Sequence, residues 1–202
     1  MPAHIVLFDL GNVVVDWEPE RLYRQRFEDR QAADWFCREI CTREWHARHD
    51  SGVPMEASIA AKIAEHPEYA DHIRAWRGEW LDMFHGYVPG VPALIARLEE
   101  RRVPLYGLSN IPAEVSEETF DAFPIIRVLR DVVVSGAEGV IKPDRRIYEI
   151  ALSRMENPDP GAVLFVDDRE DNVCAARALG FAAHHFDTAS RLEAALEEHA
   201  LL

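Results

Sequence analysis

Four apolar residues, Ile5 to Phe8, run directly into Asp9 and then Leu10-Gly11, and no other stretch constrains the chain as strongly. A short unbroken apolar run closed by a glycine turn reads as a strand buried on both faces, the kind found in parallel sheets covered by helices. In open sheets of this class ligands bind beyond the carboxyl ends of the strands. Asp9 stands at such an end. It either caps the turn or acts as a nucleophile or metal ligand, because carboxylates serve in both chemical roles.

Residues 16 to 86 change character, becoming rich in Trp, Arg, Glu and His with helical spacing. Pro19-Glu20 opens a helix with proline near its first turn and an acid by the positive dipole end. Trp35, Phe36 and Ile40 continue an apolar stripe, Asp50 to Pro54 interrupts it, and Met55, Ile59 and Ile63 resume at four-residue intervals. After the break at His66-Pro67, residues Tyr69, Ile73, Trp76, Trp80 and Phe84 are expected on one further helical face. This stretch is read as a helical insertion whose aromatics form its core. Trp45, His46, His49 and Asp50 either face a substrate or belong to the surface or that core, and the second assignment is preferred.

From Val88 onward strands and helices alternate. Strands are expected at Val103 to Leu108, Val132 to Val134, Ala162 to Val166 and Ala182 to Phe186, with a glycine-containing loop from Ser135 to Gly139. Helices are expected at Val91 to Arg101, after Lys142-Pro143-Asp144 with Pro143 as an early helical residue, after Asp167-Asp168, and over Ser190 to Leu201. Ser190 and Glu193 have the spacing of a capping box. Such alternation predicts an α/β fold: a Rossmann-like, five-stranded parallel sheet flanked by helices, since parallel strands require crossovers and those crossovers are right-handed. Residues 1–15 and 87–202 would form this core domain and 16–86 a helical cap.

The strand ends then converge. Asp9, Ser109 with Asn110, Lys142, and Asp167 with Asp168 fall along one edge of the sheet. Each alone has an ordinary explanation as a turn, a helix cap or a solvated side chain. Together they make a hard-oxygen site suited to Mg²⁺, with a cation and a hydroxyl to offset phosphate charge. Lys142 is one of only two lysines among 22 basic residues, so its position at that edge is informative.

Composition limits the partners. A net charge of −14 with few basic clusters argues against nucleic acid, which is bound by neutralising phosphates. No apolar run approaches the roughly 20 residues that span a bilayer. No signal-peptide pattern opens the chain, so a cytoplasmic protein is expected. Three cysteines without a CxxC argue against a disulfide framework. Cys37, Cys41, His46 and His49 lie too close together for the usual zinc finger.

The motifs Phe8-Asp9-Leu10-Gly11-Asn12-Val13-Val14, Leu108-Ser109-Asn110, Lys142-Pro143 and Val166-Asp167-Asp168-Arg169-Glu170-Asp171-Asn172 resemble those of haloacid dehalogenase superfamily hydrolases. The matching branch, subfamily I, inserts a helical cap just after the first motif. Val15-Asp16-Trp17 and the fourth motif are most similar to the bacterial α-D-glucose-1-phosphate phosphatase subgroup. The resemblance implies a Mg²⁺-dependent phosphatase acting on a small phosphate ester through an aspartyl-phosphate on Asp9. Asp9, the Gly11 carbonyl and Asp168 would hold Mg²⁺, with Asp167 supporting that site. Ser109 and Asn110 would bind the phosphoryl group, and Lys142 would neutralise Asp9 and phosphate.

One position departs from the family pattern. Most such phosphatases carry a second Asp two residues after the nucleophile as general acid and base, and here Gly11 stands there. Asp16 is an alternative proton donor. Two competing readings are a 2-haloacid dehalogenase, whose fourth motif resembles Ser-Asn rather than Asp-Asp, and a binding or regulatory protein without useful turnover.

Overall fold

The computed structural model describes residues 3–202. The elements run β1 (Ile5–Phe8), β2 (Val15–Trp17), α1 (Glu20–Arg26), α2 (Arg30–Glu39), α3 (Arg43–Asp50), α4 (Met55–Glu65), α5 (Ala70–Gly78), β3 (Phe84–Tyr87) and α6 (Val91–Glu100). They continue with β4 (Leu105–Ser109), α7 (Ala113–Ala122), β5 (Val132–Val134), α8 (Ser135–Glu138), α9 (Arg145–Arg154), β6 (Val163–Asp167), α10 (Glu170–Ala178), β7 (Ala182–His185) and α11 (Ala189–Glu198). Five strands form one parallel sheet in the order β5-β4-β1-β6-β7. The fold is therefore the expected α/β, Rossmann-like arrangement.

All four residues of β1 are buried because each face of the sheet is covered. Val6 and Phe8 pack with Leu94 and Leu98 of α6 and Leu192 and Leu196 of α11. Ile5 and Leu7 face the opposite way, toward Ile147, Tyr148 and Ala151 of α9 and Phe165. The alternation of side chains along a strand produces this division. The chain crosses from β1 to one side for β4 and β5, then to the other for β6 and β7. The switch point lies at β1, where strands leave a crevice at their carboxyl ends.

Helices α1 to α5 pack around a separate apolar cluster containing Leu22, Tyr23, Phe36, Trp45 and Trp76, which also takes in Ile111 and Val115 from beside β4. Trp76 is fully buried, so its replacement by alanine should cost about 3–5 kcal/mol. Several polar contacts tie these helices to the rest. The Met55 N–H at the start of α4 donates to the Glu114 carboxylate at 3.1 Å, and the Trp80 indole donates to Thr119 at 2.9 Å. Gly136 permits the closest backbone approach: a Cβ there would lie 2.5 Å from the Ala113 nitrogen.

Four local expectations are corrected. Phe84 is not on a helix. The helical run stops at Gly78, passes through a 3-10 turn at Trp80–Met83, and enters β3, which pairs antiparallel with β2. This ribbon brackets helices α1 to α5. The 135–139 loop contains the short helix α8. Pro143 precedes its helix: the Lys142–Pro143 peptide is cis, and Asp144 caps α9 by accepting from the Arg146 N–H at 2.8 Å. Thr188, two residues before Ser190, caps α11, because its extended backbone puts its hydroxyl in reach of the Arg191 N–H.

Candidate active site

Asp9 follows β1 directly. Its backbone N–H donates to the Val166 carbonyl at 2.8 Å, so the sheet ladder fixes it, and its Oδ1 accepts from the Leu10 N–H at 2.7 Å. Asn12 adopts a left-handed φ of 57°, a conformation asparagine tolerates, and its Oδ1 accepts from the Trp17 N–H at 3.0 Å. The turn thereby leads into β2.

Lys142 lies beneath Asp9, buried to 3% exposure. Its Nζ is 2.8 Å from Asp9 Oδ2, 2.7 Å from Asp167 Oδ2 and 2.9 Å from the Leu108 carbonyl. An ammonium has three protons, and each has a partner. Asn110 clasps the same residue from its other side. Its Oδ1 accepts from the Lys142 N–H at 2.8 Å and its amide donates to the Lys142 carbonyl at 3.1 Å.

Asp167 is fully buried and saturated. Oδ1 accepts from the Arg169 N–H and the Asn172 amide, and Oδ2 from Lys142 and the same Asn172 amide. Asp168 is half-buried beside it. Carboxylate oxygens of Asp9, Asp167 and Asp168 lie within 4.8 Å of one another, and among the described residues no other cluster of three potential ligands is that close. The Cys37, Cys41, His46 and His49 set does not form one.

The electrostatics are unbalanced, with one ammonium against three carboxylates. Burial pushes Asp9 well above the ordinary carboxylate range; Lys142 opposes the shift, while Asp167 and Asp168 add to it. Burial and the Asp167 charge raise Asp168 in the same direction. Burial alone would lower Lys142, but the charges of Asp167 and Asp9 and their hydrogen bonds outweigh it and keep the ammonium. A bound cation would relieve this surplus.

These groups open into a cleft of about 440 Å³. Asp9, Gly11, Asn110, Lys142 and Asp168 line one side, and Trp17, Arg43, His46 and Asp50 the other. Ser109 is buried and lines an adjoining aromatic recess with Trp17, Trp80 and Phe84. Larger grooves of about 680 and 770 Å³ lie elsewhere, one along α1 to α3 and one between α4, α5 and Glu114, away from Asp9, Asp167 and Asp168. All of the predicted site residues thus meet at one edge. The cleft also holds Asn172, named in the fourth motif without a role, Arg43, which the sequence pattern does not single out, and Asp50 and His46, which it places on the surface or in the core. Asn172 belongs to the fourth motif and could have been found there, whereas nothing local marks the other three.

Residues 3–180 match the model of the haloacid dehalogenase-like hydrolase family. The chain belongs to that family. A sesquiterpene phosphatase of Aspergillus oryzae is 30% identical over 93 residues, which are 46% of this chain and 47% of that protein. The chain therefore spans about half the length of that relative. Validoxylamine A 7'-phosphate phosphatase of Streptomyces hygroscopicus subsp. limoneus is 24% identical over 169 residues, 75% of this chain and 79% of that protein. Among solved structures, a haloacid dehalogenase family enzyme of Bacteroides thetaiotaomicron, in complex with magnesium and inorganic phosphate, superposes with a TM-score of 0.70 at 17% identity. The match covers 92% of this chain and 95% of that one. This haloacid dehalogenase-like hydrolase thus shares the fold of the last enzyme and sequence with the two phosphatases. Among its described residues no helix is long and apolar enough to cross a membrane.

Proposed function

We propose that this hydrolase is a Mg²⁺-dependent phosphatase of small phosphate monoesters, including sugar phosphates, with Asp9 as nucleophile. The observation that carries the reading is the surplus of carboxylate charge around Asp9, answered by a single buried lysine. Similarity to two phosphatases supports it, as does the magnesium and phosphate complex of the structural relative.

The donor set fits Mg²⁺, which takes one or two protein carboxylates plus water and phosphate oxygens. Asp9, Asp168 and the Gly11 carbonyl would hold it. Asp167, whose oxygens already accept four hydrogen bonds, positions Lys142 instead. Bound Mg²⁺ would neutralise phosphoryl oxygens and orient the ester for in-line attack.

The chain's own groups then act in order. Asp9 Oδ attacks phosphorus while the Lys142 ammonium shields the anions from one another. Asn110, engaged on both sides of the Lys142 backbone, keeps that ammonium in place. Ser109 and the backbone around Asn110 receive the phosphoryl group. We assign residues 16–86 to a cap over the domain of residues 1–15 and 87–202, excluding water and contacting the leaving group through Trp17, Arg43 and His46.

A dehalogenase needs no cation, and that reading leaves the Asp168 carboxylate without a purpose beside Asp9. Phosphate release from a panel of aryl, sugar and alkyl phosphates, with and without Mg²⁺, tests the proposal. Wild type should release phosphate only with Mg²⁺, and Asp9→Asn should abolish release while leaving the fold intact. Turnover by Asp9→Asn near the wild-type rate would refute it.

A further inference from the structure

Asp50 ends α3 and is 7% exposed, yet its Oδ1 has no hydrogen-bond partner. Buried polar oxygens are nearly always paired, so an unpaired one lining a cleft calls for an explanation. His46, one turn earlier, comes within 3.3 Å of this oxygen but out of line for a hydrogen bond. Its Nδ1 accepts from the Trp76 indole at 3.3 Å, which leaves the proton of the neutral imidazole on Nε2. Burial, with His49 and Arg43 nearby, lowers His46 to about 3, so it is a neutral neighbour and supplies no counter-charge.

The backbone of Asp50 is anchored to the opposite domain. Its carbonyl accepts from the Ser135 hydroxyl at 2.7 Å, and Ser135 is fully buried at the start of α8, one loop before Lys142. The end of α3 is therefore held over the cleft that Asp9 and Lys142 enter from below. The ionisable groups that share the cleft with Asp50 are Arg43 and His46 from its own helix and Asp9, Lys142, Asp168 and Arg169 from the sheet edge, and His49 precedes it in α3. Burial raises its carboxyl to about 7 against the opposing pull of Lys142, which suits a group that must give and take a proton near neutrality.

We propose that Asp50 is the general acid and base of this phosphatase, supplied from the insertion in place of the carboxylate missing at Gly11. The proposal rests on the phosphatase reading. In the first step the Asp9 oxygen bonds to phosphorus, the bond from phosphorus to the ester oxygen breaks, and that oxygen keeps the electron pair and takes the Asp50 proton to leave as an alcohol. In the second, the Asp50 carboxylate takes a proton from water as the water oxygen attacks phosphorus. The bond from phosphorus to Asp9 breaks, Asp9 recovers its carboxylate, and phosphate departs with Asp50 protonated again.

The experiment compares kcat/KM with Mg²⁺ for wild type and Asp50→Asn on 4-nitrophenyl phosphate, phenyl phosphate and an alkyl phosphate. A positioned acid is worth about 10² to 10⁴ for a poor leaving group. Asp50→Asn should lose about that factor on the alkyl ester and under about tenfold on 4-nitrophenyl phosphate, and its pH profile should lose the limb near 7. Asp50→Glu should recover part of the alkyl rate. Equal losses on all three esters, or none, would overturn the role of Asp50 while leaving the phosphatase reading in place. Failure of wild type to release phosphate from any of them would overturn that reading first. If Asp50→Asn does not fold, wild type alone decides: a steep dependence of its rate on leaving-group acidity means that no acid assists departure, and a shallow one supports the proposal.

Discussion

The Nζ of Lys142 stands 2.8 Å from Oδ2 of Asp9, with its other two protons held by Asp167 and the Leu108 carbonyl. A compact ammonium fits that three-way pocket; a planar guanidinium, larger and with its donors in a fixed fork, does not. Lys142→Arg should therefore keep the charge but lose on the order of 10² or more in kcat, the scale of a displaced electrostatic contact. Lys142→Met should cost about 3–5 kcal/mol at neutral pH, because buried carboxylates lose their partner. That loss should shrink in acid as they protonate. Denaturant unfolding at two pH values and steady-state rates check both variants, and an active Lys142→Arg would remove the steric argument.

Asp167 and Asp168 are adjacent acids with different surroundings. Asp168→Asn should weaken Mg²⁺ binding by removing a charged ligand. Asp167→Asn should leave the Mg²⁺ midpoint nearly unchanged and lower kcat instead, since it loosens Lys142 and Asn172. Calorimetric Mg²⁺ titration of the two variants separates the roles; equal weakening would make Asp167 a ligand.

The sheet and its edge were legible because burial on both faces imposes unbroken apolar runs, and each run leads into a residue of the candidate site: Phe8 before Asp9, Leu108 before Ser109, Val166 before Asp167. The β2–β3 ribbon was not, because it pairs Val15–Trp17 with Phe84–Tyr87 across the whole insertion, and segments of three or four residues carry too little periodicity to oppose the aromatic stripe running into Phe84. Asp50 illustrates the same limit at the level of chemistry. Its helix spacing is ordinary, and what sets it apart is a tertiary approach to Lys142 and Ser135 that no local pattern encodes.

Asp50 should also leave a mark on stability. Its folded pKa of about 7 lies above its ordinary value of 3.8, so the stability that its protonated form supports is fully present below about pH 4 and is lost as pH rises through 7. Asparagine cannot ionise. The unfolding free energy of Asp50→Asn relative to wild type should therefore rise between about pH 4 and 7, with a slope approaching roughly 1.4 kcal/mol per pH unit. A pH-independent difference would mean that Asp50 is not a raised acid.

Gly11 provides the converse test. A Cβ built there meets no atom within 4 Å, and its φ lies outside the left-handed region, so nothing in the backbone requires glycine. Gly11→Asp should fold and bind Mg²⁺ as wild type does, and should place a carboxyl two residues after Asp9, at the edge of the same cleft. In the Asp50→Asn background it should restore much of the rate on alkyl phosphates, while changing the 4-nitrophenyl phosphate rate little. Asp16, the other acid near the turn, is committed elsewhere: both of its oxygens lie 2.9 Å from the Arg21 guanidinium, which occupies them. Asp16→Asn should accordingly leave the ratio of alkyl to aryl rates unchanged. The three variants measured on one alkyl and one aryl ester decide between the acids, for a selective alkyl loss in Asp16→Asn with none in Asp50→Asn would move the proton donor from the end of α3 to β2.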